Sequence, residues 1–336
     1  MLVDQLLSAN QTVKRRALAK TITLLESTRT DHRAQADELL SALLPHAGQS
    51  FRIGISGVPG VGKSTLIEAF GLHLIDQGHQ VAVLAVDPSS SISGGSILGD
   101  KTRMEKLSVH EKAFIRPSPS SGNLGGVTEK TREAILVCEA AGYDVVIVET
   151  VGVGQSEVAV ANMTDVFVLM QLPNAGDDLQ AIKKGVMEMA DLVLINKADI
   201  DPDAATRAQA QITSALRLFS FHGHPDRAQI HAESDHIQAW HAQVKPISAL
   251  QSQGLSELWQ LLCQFRSSQQ ALGAWAKRRQ RQSLSWMWDQ IQSDLTHHFK
   301  NHAEVKTLIK QVEQKVLMGQ LAPSTAARQL LRAHRS

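Results

Sequence analysis

Between residues 51 and 70 an apolar run, a glycine-rich turn and a helix-like segment follow one another without a gap, and this restricts the fold more than any other stretch. Phe51-Arg-Ile-Gly-Ile-Ser56 has the near-continuous apolar character of a strand buried on both faces, and Ser64-Thr-Leu-Ile-Glu-Ala-Phe70 reads as a helix. The turn between them, Gly57-Val-Pro-Gly-Val-Gly62-Lys63-Ser64 followed by Thr65, fits G-x-x-x-x-G-K-[ST]. Glycines let such a loop take unusual dihedrals and approach a ligand closely, so that successive N–H groups point inward. The pattern is that of a loop wrapped around the phosphates of a nucleotide, with Gly57, Pro59, Gly60, Val61, Gly62, Lys63, Ser64 and Thr65 as the expected binding residues. Lys63 supplies a point charge for the β/γ-phosphates, Ser64 a hydroxyl for Mg²⁺, and the following helix its positive end.

Apolar runs at 81–86, 113–116, 145–148, 166–172, 192–195 and 244–247 alternate with helical patterns. That alternation predicts a mostly parallel sheet covered on both faces, an α/β fold of the P-loop NTPase class, with functional residues at the carboxyl ends of the strands. Residues 1–46 read as an N-terminal helical extension, with Leu2, Leu6, Leu18, Ile22 and Leu25 at helical spacing; 47–265 form the P-loop domain and 266–336 a C-terminal helical arm. In the arm, Trp275, Trp286, Met287, Trp288, Ile291 and Leu295 make one apolar stripe and Val305, Leu308, Ile309, Val312, Val316 and Leu317 a second. Gly319 is placed to end a helix and Pro323 to open the next. The tryptophan stripe needs cover, from its own domain or from a second copy in a homodimer.

With 336 residues and 43% hydrophobic content the chain can bury a sizeable core, and a net charge of +1 gives no argument for nucleic acid or membrane as partner. The arm is more basic, with 12 Lys/Arg against 4 Asp/Glu over 266–336, which suits either a solvated face or a surface for an acidic partner. Cys138 and Cys263 are too few for a disulfide framework, so a reducing cytoplasm is expected. The first residues lack the order of a secretory signal, and no window has the run of about 18 uncharged apolar residues that crosses a bilayer. The 14 histidines, including His222, His224, His231, His236 and His241 and the pair His298/His302, read as structural or surface groups rather than a metal site.

Asn196-Lys197-Ala198-Asp199 follows an apolar run and therefore lies just past a strand end. A carboxylate there can accept from the N1–H and N2 amino group of guanine, donors that adenine does not match, so Asp199 selects GTP over ATP. Asn196 is expected to support its own loop and the base edge, and the Lys197 stem to lie along the ring. Ser248-Ala249-Leu250 resembles the further guanine-side loop of GTPases, in which a backbone N–H meets the base oxygen. Three acids fall at or near other strand ends: Asp87, Asp100 and Glu149. With Ser64 they form the expected Mg²⁺ environment, and with Lys63 the expected catalytic set. Glu149 fits the metal-side acid; Asp87 and Asp100 either hold metal-bound waters or orient the attacking water. Gly152 is placed to sense the γ-phosphate and Gln155 is a further candidate for positioning water. Residues 174–184 are either a helix start or a mobile reporter loop.

In order, 57–65, 85–90, 93–104, 115–119, Asn123-Leu-Gly-Gly126, 148–157, 175–180 and 196–199 resemble the methylmalonyl-CoA mutase-associated GTPases of the MeaB/ArgK type, a branch of the P-loop GTPases. The likeness extends to Arg15-Arg16-Ala-Leu-Ala-Lys-Thr-Ile22 and to the helical tail around 317–327. It implies a Mg²⁺-dependent GTPase, with GTP as substrate and GDP as product, that chaperones an adenosylcobalamin-dependent acyl-CoA mutase and gates cofactor loading and protection. It also implies nucleotide-sensing loops before Asp100, after Glu149 and at 175–184, and a homodimer through the arm. No B12 site is identifiable in the sequence. The His-rich stretch 221–241 departs from the family by its length. Two other readings stand beside this one: a nickel-insertion accessory GTPase, and a kinase of an amino-acid transport system.

Overall fold

The structure, a computed structural model, describes residues 2–27, 29–86, 104–117, 124–150, 156–173, 184–220 and 240–335. Among these residues seven strands form one sheet: β1 (Phe51–Gly57), β2 (Val81–Val86), β3 (Ala113–Arg116), β4 (Val145–Thr150), β5 (Val166–Gln171), β6 (Leu192–Ile195) and β7 (Gln243–Pro246). Their order is β3-β2-β4-β1-β5-β6-β7, and all six pairings are parallel. Parallel neighbours need crossovers, which here are helices. In chain order the helices are α1 (Leu2–Leu6), α2 (Gln11–Leu25), α3 (Thr30–Leu43), α4 (Lys63–Asp76), α5 (Glu105–Val109), α6 (Leu124–Ala140) and α7 (Ser156–Ala161). They continue as α8 (Lys184–Met189), α9 (Pro202–Ser220), α10 (Leu255–Ala271), α11 (Ala274–Asn301), α12 (Ala303–Leu317) and α13 (Pro323–Ala333).

Side chains alternate between two cores. Phe51, Ile53 and Ile55 of β1 join Val145 and Ile147 of β4 under α4 and α10, whereas Val146, Val148, Phe167 and Leu169 point to the opposite core, with α6, α7 and α9. Gly54 lies on that second face, where a Cβ would stand 2.7 Å from Thr164 Oγ1 and 2.8 Å from Val160, so a side chain would push α7 off the sheet. Leu6, Leu18, Ile22, Leu25 and Leu43 are buried in the same core as α6, so the first three helices share the interior of the sheet domain. Asn10 starts α2 by accepting from the N–H groups of Thr12 and Val13. Arg33 then bridges Glu129 and Glu133 of α6 at 2.9 and 2.8 Å, and Glu26 pairs with Arg116 at the end of β3. Burial raises the Glu133 carboxyl above its ordinary value despite Lys130 and Arg33 beside it. Cys138 is fully buried, and burial pushes its thiol up, away from reactivity.

The amino-terminal edge of the sheet is held by a polar network. Asp165 accepts the Arg52 N–H and a bidentate pair of bonds from Arg279, each at 2.7 Å, while Arg279 also donates to the carbonyls of Gly48 and Ser50. Glu139 accepts from Gly48 N–H, the Ser50 hydroxyl and Arg52. Burial works against this carboxylate, but Arg52, Ser50 and Arg279 outweigh it and hold its carboxyl below the ordinary range. Arg279 lies over Trp275 at 5.1 Å, and Trp275 packs on Phe51 at 5.5 Å. Removing one partner of a buried pair strands the other, so Arg279→Ala is expected to lower unfolding stability by about 3 kcal/mol, read as an earlier urea midpoint. An unchanged midpoint would contradict the network.

By compactness the chain divides into Met1–Gln282 and Ser283–Ser336. In the second unit Gly319 follows the end of α12, and its φ of 70° lets the Gln320 N–H return to the Lys315 carbonyl and the Gly319 N–H to that of Val316. Pro323 opens α13, and Val305, Val312, Ala326 and Ala333 are the buried apolar residues of this unit. Leu284, Met287, Trp288, Ile291 and Leu295 recur at helical spacing and are exposed, Trp288 at 64%. The two ends of the tryptophan stripe differ: Trp275 packs on Phe51, and Trp288 is exposed. Among the described residues no helix is long and apolar enough to cross a membrane.

Candidate functional site

The strand order puts β1 in the middle of the sheet, between β4 and β5, and β6 and β7 follow on one side. All strands are parallel, so the loops after β1, β4, β5, β6 and β7 leave the same edge. At that edge β1 ends at Gly57 and α4 begins at Lys63. Gly62 has φ 95°, and a Cβ there would stand 2.5 Å from the Asn196 side-chain nitrogen; a Cβ on Gly57 would stand 2.6 Å from the Met170 carbonyl. Both positions are closed to any larger residue, by their positive φ as well as by space. Val61 is buried beneath the loop, while Pro59 and Gly60 are exposed above it.

Lys63 is only 9% exposed, and its ammonium donates to the carbonyls of Gly57 at 2.7 Å and Val58 at 3.3 Å. Thr65, at the start of the helix, is exposed. The Ser64 hydroxyl donates to Glu149 Oε1 at 3.4 Å, and Glu149, 3% exposed, sits opposite Ile55 in the β1–β4 register. Behind them the Thr150 and Ser56 hydroxyls are bonded at 3.0 Å. A hydroxyl and a carboxylate side by side are the hard oxygen donors that Mg²⁺ takes, together with water and phosphate oxygens. Asp87, Asp100, Gly152, Gln155 and residues 174–183 lie outside the described residues. So do His222, His224, His231 and His236; among the described residues no group of three or more His, Cys, Asp or Glu could hold a metal ion.

Asn196 joins three loops. Its side-chain nitrogen donates to the Val61 carbonyl at 2.7 Å, and its side-chain oxygen accepts the Ala249 N–H at 3.0 Å. The residue is 2% exposed, so these bonds are shielded from water. Lys197 takes φ 62°, and Ala198 N–H reaches the Ile247 carbonyl at 3.1 Å, which sets the backbone that carries Asp199. Across from it, residues 248–253 form a turn closed by reciprocal backbone bonds between Ser248 and Gln253 at 3.2 and 2.9 Å. In that turn Ser252 N–H is taken by the Ala249 carbonyl and Gln251 N–H by the Ser248 hydroxyl. The Leu250 N–H has no partner among the described residues, and its side chain is 81% exposed. Of the three residues singled out by sequence, Leu250 therefore has the backbone donor left for a base oxygen; Ala249 spends its own on Asn196.

One residue of this corner has no sequence signal. The Gln251 side-chain amide donates to Asp199 Oδ2 at 3.3 Å. Its place in the turn, two residues after Ala249 and shortly before Gly254, becomes informative only once the turn is folded back on Asp199.

A family model described as methylmalonyl-CoA mutase-associated GTPase MeaB matches residues 18–304. The chain is 47% identical over 345 residues to the mouse protein named methylmalonic aciduria type A homolog, mitochondrial, covering 99% of this chain and 80% of that one. It is 44% identical over 317 residues to Escherichia coli GTPase ArgK, covering 94% and 92%. Among solved structures, a crystal structure described as LAO/AO transport system kinase superposes with a TM-score of 0.72 at 37% identity, covering 100% of this chain and 97% of that one. With its phosphate loop at 57–65 on a parallel sheet and the Asn196 loop beside it, the chain is a P-loop GTPase and belongs to the methylmalonyl-CoA mutase-associated GTPase MeaB family.

Proposed function

We propose that this GTPase is a Mg²⁺-dependent switch that chaperones an adenosylcobalamin-dependent acyl-CoA mutase in the cytoplasm. GTP binding and hydrolysis gate loading and protection of the mutase's cofactor. The observation that carries the reading is the pair of hydrogen bonds by which the Asn196 side chain donates to the Val61 carbonyl and accepts from the Ala249 N–H, because it ties the 57–65 loop and the 248–253 turn into one frame. The family match, to a model described as methylmalonyl-CoA mutase-associated GTPase, supports the mutase as partner.

In this reading Lys63 turns from the carbonyls of Gly57 and Val58 to the β/γ-phosphate oxygens, where its charge stabilises the transferring group. The backbone of 57–65 lines the phosphates. Ser64 and Glu149 would hold the Mg²⁺, and Asp87 and Asp100 would complete its shell or orient the attacking water. Mg²⁺ held there would neutralise part of the phosphate charge. Asp199 accepts the guanine N1–H and N2 amino group, the Leu250 N–H meets O6, Lys197 flanks the ring, and Gly152 senses the γ-phosphate. The exposed stripe from Leu284 to Leu295 is the surface for a homodimer, and a net charge of +1 gives no argument for a nucleic-acid or membrane partner. A kinase acting on a transport system is the second reading, favoured by the description of the superposed crystal structure; a carboxylate at 199 argues against the adenine nucleotide such an enzyme would accept.

With no arginine finger identifiable in the sequence, hydrolysis by the chain alone is expected to be slow. Purified mutase should accelerate it by about tenfold or more, measured as phosphate release at saturating GTP. An unchanged rate across the mutase titration would count against the switch.

A further inference from the structure

We infer that Gln251 is a positioning residue for guanine selection, its side-chain amide holding the Asp199 carboxylate in the orientation that accepts both guanine donors. The inference rests on the guanine reading of Asp199. Two-point recognition of N1–H and N2 requires both carboxylate oxygens to be presented in one plane, and a partly exposed aspartate rotates about its last torsion unless something holds it. Asn196 and Ala198 fix the backbone of the loop, but among the described residues the Gln251 amide, 3.3 Å from Oδ2, is the hydrogen-bond partner of the carboxylate itself.

Gln251 is in turn held by its surroundings. Its N–H bonds to the hydroxyl of Ser248, which is 1% exposed, and the reciprocal Ser248–Gln253 bonds close the turn around it. Ser252 takes φ 55° and Gly254 φ 81° where the chain reverses into α10, so the reversal is set by the backbone. A carboxylate oxygen has two lone pairs, so Oδ2 can keep the Gln251 bond while accepting from the base. A neutral amide also orients Asp199 without cancelling its charge, as a lysine would. Adjacent residues of one turn thus take complementary tasks: Leu250 offers the unpartnered N–H and Gln251 aligns the acceptor.

The test compares wild type with Gln251→Ala and Gln251→Glu, using GTP and ITP, which lacks the 2-amino group. In Gln251→Ala, KM for GTP should rise about fivefold with kcat unchanged, as expected for one lost charge-assisted contact, and the GTP-over-ITP preference should shrink. Gln251→Glu, which sets a like charge against Asp199, should raise KM further. The side chain is exposed, so the melting temperature should stay put in both variants. If wild type prefers GTP over ATP and Gln251→Ala keeps the wild-type KM and GTP:ITP ratio, this proposal alone is overturned. If wild type turns over ATP as readily as GTP, the guanine reading falls and takes the proposal with it.

Discussion

Asp199→Asn is expected to move the nucleotide preference from GTP to XTP. The aspartate offers two acceptors, matched to the N1–H and N2 amino group of guanine, whereas asparagine replaces one acceptor with a donor that meets the carbonyl of xanthine instead. A buried polar mismatch at a base edge is discriminated far more strongly than a change of shape, so the GTP:XTP ratio should shift by about 10⁴-fold, part of it lost GTP affinity and part gained XTP affinity. The frame should survive, because the loop is held by Asn196 and by the Ala198–Ile247 bond rather than by the Asp199 side chain. Competition of the two nucleotides against a fluorescent GTP analogue reads the shift directly. A variant that still prefers GTP would mean that the base is read elsewhere.

Lys63→Ala is expected to remove turnover, by about 10³-fold, because a preorganised charge aimed at the transferring phosphoryl group is lost. The folded state should be nearly untouched. Among its contacts the ammonium bonds the carbonyls of Gly57 and Val58, and the loss of two such bonds is a small cost beside the loss of turnover. Single-turnover GTP hydrolysis and thermal melting, measured on the same preparation, separate the two effects. A variant with near wild-type turnover would exclude Lys63 from the chemistry, and one that melts far earlier would make it a structural residue.

Much of the sheet is legible in the sequence because parallel strands buried on both faces are written as uninterrupted apolar runs. The runs at 81–86, 113–116 and 192–195 coincide with β2, β3 and β6. The phosphate loop and the Asn196 loop are legible for a different reason: each function fixes residue types at fixed spacing. What is not legible is pairing over distance. Arg279 and Asp165 are 114 positions apart, and neither belongs to a motif. Leu6, Leu18 and Ile22 read as helical from their spacing, but nothing local says that they complete the core under α6. Trp275 and Trp288 belong to the same stripe, yet one packs on Phe51 and the other is 64% exposed. Gln251 escapes for the same reason, since its partner is Asp199, across two loops that only the fold brings together.

The link between nucleotide state and partner is the claim on which the functional reading stands. Isothermal titration of a purified adenosylcobalamin-dependent mutase into this GTPase, loaded in parallel with a non-hydrolysable GTP analogue and with GDP, measures it without a turnover assay. Binding in at least one state, with affinities that differ by about tenfold or more between the two, is the predicted result. Equal affinity in both states, or binding in neither, would contradict it.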